Sequence, residues 1–140
     1  MNIPIGELSR LSGVKVPTIR YYEQVGLMPE PPRTEGRQRR YGASELSRLN
    51  FIRHARELGF EVEAIRELLA MSQNPEQSCE EADRIARRQM AEVDRRIEQL
   101  VALRTELQRM VEECSHGRVG ECRVIQALND HPRCEHKHHR

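Results

Sequence analysis

Residues 5–27 run IGELSRLSGVKVPTIRYYEQVGL. Ile5, Leu8 and Leu11 recur at helical spacing, so one face of a short helix over 4–12 is apolar. Gly13 follows as a stop signal, since glycine accepts the left-handed conformation that ends helices. Pro17 stands where a second helix begins, a position whose N–H would be unsatisfied anyway. That helix carries Ile19, Tyr22 and Val25 and ends at Gly26. Two short helices joined by a tight turn form a helix-turn-helix pattern, a spacing shared with other αα-hairpins.

Outward from this core, residues 28–41 change character. Pro29, Pro31 and Pro32 forbid a helix, and Gly36 and Gly42 mark turns. Two short strands around a basic loop, a wing, are expected. Ser44 is the expected N-cap of the next helix, with Leu46, Leu49, Ile52 and Leu58 buried until Gly59. A further helix over 61–71 turns Val62, Ile65, Leu68 and Leu69 inward. Seven arginines lie between Arg33 and Arg56 (33, 37, 39, 40, 48, 53, 56) against Glu35 and Glu45, inside a chain of net charge +1. Such a cluster can hold phosphates.

Asn74-Pro75 reads as a hinge. From Cys79 to Glu113 there is neither Pro nor Gly, and apolar side chains stand at 86, 90, 93, 97, 100, 107 and 111, with Arg104 the polar exception. This is a heptad seam. At 1.5 Å per residue the helix spans roughly 50 Å, too long to hide its seam against a domain of about 70 residues. Its natural partner is the same helix of a second copy. With aromatics at 4% and charged residues at 32%, a mainly helical chain that completes its core by dimerising is expected.

No apolar run approaches the ~20 residues needed to cross a membrane, and the N-terminus lacks the features of a signal peptide. A cytoplasmic location is therefore expected, where the four cysteines favour metal or redox chemistry over structural disulfides. Cys114 is in phase with 93, 100 and 107 and closes the seam, and Cys122 follows across a loop containing Gly117 and Gly120. Cys79 stands at the far end of the same helix. An antiparallel helix pair would bring it beside Cys114 of the other chain, building two sites per dimer. Three thiolates suit zinc, cadmium, lead or mercury, and His116 is a candidate fourth ligand for zinc. Cys134, His136, His138 and His139 of the tail form a candidate secondary metal-collecting tract. No phosphate loop, Ser-His-Asp set or zinc-protease motif is present, so an enzyme is not expected.

Ile5-Gly6-Glu7-Leu8, Thr18-Ile19-Arg20-Tyr21-Tyr22-Glu23, Gly26-Leu27, Arg39…Tyr41 and Leu49-Asn-Phe-Ile-Arg-His-Ala-Arg-Glu-Leu-Gly59 resemble the DNA-binding domain of MerR-type regulators. The Cys114…Cys122 loop followed by Val-Ile-Gln-Ala-Leu resembles the metal-binding loop of that family's metal sensors. The resemblance covers about residues 3–128. It implies a homodimer on double-stranded promoter DNA, working with RNA polymerase. Metal binding would distort the DNA and switch on efflux or resistance genes. Carried over by position, Lys15, Thr18, Arg20 and Tyr21 lie on or near the recognition helix. By the same resemblance, Arg37, Arg39, Tyr41 and Arg53 are expected to contact phosphates. A Cys at position 79 resembles the branch sensing divalent ions, with zinc the leading ion and cadmium or lead close behind; the copper, silver and gold branch carries Ser there. Gln38 replaces a usual wing aromatic. Ser115 stands where zinc-responsive members often have a second Cys, so one metal per site is expected.

The expected organisation is a winged helix-turn-helix domain over 1–73, a hinge and antiparallel coiled-coil dimerisation helix over 74–113, a metal-binding loop and short helix over 114–129, and a disordered Cys/His-rich tail over 130–140. Three other readings stay open at this level: a cytosolic metal-binding or trafficking protein, a copper(I)-responsive regulator, and a thiol-redox regulator that closes a Cys114–Cys122 disulfide.

Overall fold

The computed structural model describes residues 1–30, 40–114 and 116–130. The elements are α1 (Ile5–Ser12), α2 (Val16–Gln24), α3 (Ala43–Glu57), α4 (Val62–Ser72), α5 (Glu80–Glu112), a 3-10 turn (Val119–Glu121) and α6 (Arg123–Asn129). The chain divides into two compact units, Met1–Gln89 and Met90–Arg140. Among the described residues no helix is long and apolar enough to cross a membrane.

In the first unit the helix-turn-helix is closed by local chemistry. Gly13 takes φ 76° and its N–H donates to the Ser9 carbonyl at 2.9 Å. The Ser12 hydroxyl accepts the Val14 N–H at 3.1 Å, so the buried turn leaves that donor satisfied. Pro17 lies in the first turn of α2. Arg48 Nε donates to the Leu27 carbonyl at 2.6 Å and Arg66 Nη2 to the Val25 carbonyl at 2.8 Å. Two cations thus hold carbonyls of the turn that follows α2.

The core joins Leu8, Ile19, Leu27, Met28, Tyr41, Leu49, Ile52 and Ile65, with Val14, Tyr22, Ala55 and Leu69 around them. Burying each large aliphatic side chain contributes about 1.5–3 kcal/mol. Leu58 departs from the expected stripe: it is 56% exposed, and Ala55 faces inward instead. The expected Ser44 cap is also displaced. Gly42 is the N-cap of α3, and its N–H donates to the Glu45 carboxylate at 2.7 Å.

Of the expected wing, residues 31–39 lie outside the described part. Its base is visible: Tyr41 and Ile3 exchange two backbone hydrogen bonds of 2.9 Å in an isolated antiparallel bridge. Past α4, the Gln89 side chain on α5 donates to the Leu58 carbonyl at 3.1 Å. Gly59 takes φ 90°, a conformation L side chains rarely adopt, and this turn therefore requires glycine.

α5 is a continuous helix of 33 residues. Ion pairs one turn apart line it, among them Glu81–Arg84, Asp83–Arg87, Glu92–Arg95 and Glu106–Arg109. Such exposed pairs are screened by solvent and give the helix only modest support. Its seam is bare within one chain: Met90, Val93, Ile97, Leu100, Leu107 and Val111 are all exposed, as are Val101 and Leu103.

Candidate DNA-binding face and metal centre

On α2 the helical period sends Ile19 and Tyr22 into the core and leaves Arg20 and Tyr21 exposed, with Thr18 half-buried. Lys15 precedes the helix as its N-cap and is exposed. A shallow groove brings Lys15 and Thr18 together with Arg53 and Arg56 of α3, beside Val14, Tyr22 and Glu57. Arg56, one of the seven clustered arginines, joins this groove through a tertiary approach of α3 to α2 that its sequence position alone does not reveal. Arg53 pairs with Glu57 through Nη1 at 2.8 Å, while its buried Nε has no hydrogen-bond partner among the described residues. An unpaired buried donor costs about 1–3 kcal/mol and calls for an acceptor.

Tyr41, expected among the phosphate contacts, sits in the core at 1% exposure. Its hydroxyl donates to Glu23 Oε2 at 2.7 Å, tying the wing base to α2. Arg37 and Arg39 lie outside the described residues, as do Cys134, His136, His138 and His139.

In the second unit, α5 ends just before Cys114, whose N–H donates to the Val111 carbonyl at 3.1 Å. The 3-10 turn then delivers Cys122 as N-cap of α6, where its carbonyl accepts the Gln126 N–H at 2.9 Å. The two sulfurs stand 3.9 Å apart, both half-buried. The Cys122 thiol is held below its ordinary pKa, first by hydrogen bonding from the Ile125 backbone, then from the Val124 backbone and from Cys114; burial opposes these. Thiolate is the form that binds metal.

Zinc–sulfur bonds of about 2.3 Å separate two sulfurs by about 3.8 Å at the tetrahedral angle. The observed separation fits two thiolates on one ion. Among the described residues no group of three or more Cys, His, Asp or Glu forms a metal-sized cluster. His116 occupies the loop with a positive φ of 62°. Cys79 belongs to the first unit, exposed and one residue before α5, with its carbonyl accepting the Asp83 N–H at 2.9 Å.

Two family profiles cover this chain: "MerR HTH family regulatory protein" over residues 3–72 and "MerR, DNA binding" over residues 46–110. The chain belongs to the MerR family. MerR regulators are DNA-binding transcription regulators, not enzymes, and this sets aside the reading as a trafficking protein. Similarity runs to metal-responsive MerR members. The chain is 44% identical over 128 residues to the HTH-type transcriptional regulator ZntR of Escherichia coli K12, covering 89% of this chain and 90% of that one. Among solved MerR structures it resembles PbrR691 of Ralstonia metallidurans CH34 in complex with lead(II), at 36% identity and TM-score 0.75, over 90% of this chain and 98% of the other. It also resembles the mercury(II)-bound MerR of Bacillus megaterium MB1, at 30% identity and TM-score 0.66, over 91% of this chain and 99% of the other.

Proposed function

We propose that this MerR regulator is a cytoplasmic homodimer that answers a divalent metal ion, zinc first among the candidates, at two sites built from Cys114, Cys122 and the partner subunit's Cys79. The observation that carries the reading is the thiol pair 3.9 Å apart, with Cys122 held towards its thiolate by backbone amides. Two sulfurs from one chain leave a divalent ion short of donors, and an antiparallel pairing of the bare α5 faces supplies the third. The lead(II) of the PbrR691 complex and the mercury(II) of the Bacillus megaterium MerR complex are divalent ions of the same thiolate-seeking class.

The groove of Lys15, Thr18, Arg53 and Arg56, with Arg20 and Tyr21 on the exposed side of α2, is the DNA contact. By sequence, Arg37 and Arg39 are proposed as further phosphate contacts. The unpaired Arg53 Nε supports a phosphate acceptor there. Metal binding the activating conformer more tightly shifts the dimer, and the dimer's strain is passed to promoter DNA, realigning it for RNA polymerase at metal-efflux or resistance genes.

A metal titration of the reduced dimer tests this. About two divalent ions per dimer are expected in thiolate-rich sites, with binding lost in Cys79→Ser and in Cys122→Ser while DNA retention persists. Full zinc, cadmium and lead response by Cys79→Ser sinks the cross-subunit site. A second reading is favoured by the same 3.9 Å approach: Cys114 and Cys122 close a disulfide under oxidant and act as a redox switch. Retained response to metal in a fully reducing buffer argues against it.

A further inference from the structure

The loop from Cys114 to Cys122 contains two glycines, and such a loop samples many end-to-end separations unless something fixes its ends. Glu113 immediately precedes Cys114, and Arg123 immediately follows Cys122. Across the loop, Arg123 Nε donates to Glu113 Oε1 at 3.1 Å. The same guanidinium donates through Nη1 to Gln126 Oε1 at 3.2 Å, and Gln126 Nε2 donates to the Gly120 carbonyl at 3.2 Å. One chain of hydrogen bonds therefore runs from Glu113, the residue just past α5, through α6, to the middle of the loop. Its first link brackets both cysteines.

Sulfurs on one ion at a metal–sulfur distance of about 2.3 Å stand about 3.8 Å apart in tetrahedral, 4.0 Å in trigonal and 4.6 Å in linear coordination. The observed 3.9 Å lies with the first two. We propose that the Glu113–Arg123 pair, braced by Gln126, is the positioning device that sets the bite of the thiol pair and so selects three- or four-coordinate divalent ions over a linear monovalent one. This rests on the metal-site reading above and adds to it the source of its selectivity.

The pair is 44–55% exposed, so its effect is modest. The experiment uses the full-length reduced dimer and reads zinc and copper(I) dissociation constants by competition with chelators of known affinity, beside melting temperature and oligomeric state. Glu113→Gln and Arg123→Gln are each expected to weaken zinc binding about fivefold, the upper range for such a pair, and to leave copper(I) binding within about twofold. Arg123→Lys, which keeps the charge, is expected to recover most of the zinc affinity. Unchanged zinc binding in both Gln variants overturns the proposal, as does an equal loss for zinc and copper(I) or a Lys variant no better than Gln. Cys122→Ser separates the two layers: zinc retained there overturns the metal site itself, whereas zinc lost there but kept in both Gln variants overturns the clamp alone.

Discussion

Arg53 and Tyr41 stand at opposite ends of what a basic or aromatic residue near DNA can do. Arg53 lines the groove with a donor to spare, and a phosphate contact there has a distinct signature. Arg53→Ala is expected to weaken operator binding and to make the slope of log affinity against log salt shallower by about 0.9, one phosphate's worth. A filter-binding salt series reads it. Tyr41 is buried and bonded to Glu23, so Tyr41→Phe is expected to act on the fold. A loss of about 1 kcal/mol in a urea melt, with the salt slope unchanged, is the expected outcome. The sequence could not separate these two residues. Both stand in a basic stretch, and only the bridge from Tyr41 to Ile3, nearly forty positions away, decides which one is covered.

Elements were legible where their determinants were local. Gly13, Pro17 and Gly26 are read in place, because a helix stop, a first-turn proline and a turn each act within a few residues. The helical register of α5 was legible for the same reason, being a periodicity. The cap of α3 was not: Ser44 has the preferred chemistry, yet Gly42 is the cap because Glu45 reaches back to its N–H. The Glu113–Arg123 link was equally hidden, since ten residues and a loop separate its partners. Two predictions belong to elements. Ile52→Ala removes a fully buried side chain of α3 and is expected to cost about 2–5 kcal/mol in a denaturant melt. Leu100→Asp places a charge in the middle of the bare α5 face and is expected to convert the proposed dimer to monomer in sedimentation, with loss of operator binding.

At the scale of the molecule, the first unit closes a core of its own, while the length of α5 carries a row of exposed aliphatic side chains. A dimer of such chains melts at a temperature that rises with protein concentration, because association binds only the folded form. Calorimetry over a hundredfold range of concentration checks this, and a concentration-independent melt contradicts dimerisation through α5.

In the proposed dimer, that bare seam is the face that pairing covers. Pairing is second order in the chain, so as abundance falls the covered fraction is expected to fall faster than the number of chains. An unpaired chain leaves its longest helix open to proteases, and turnover is expected to fall most heavily on that form.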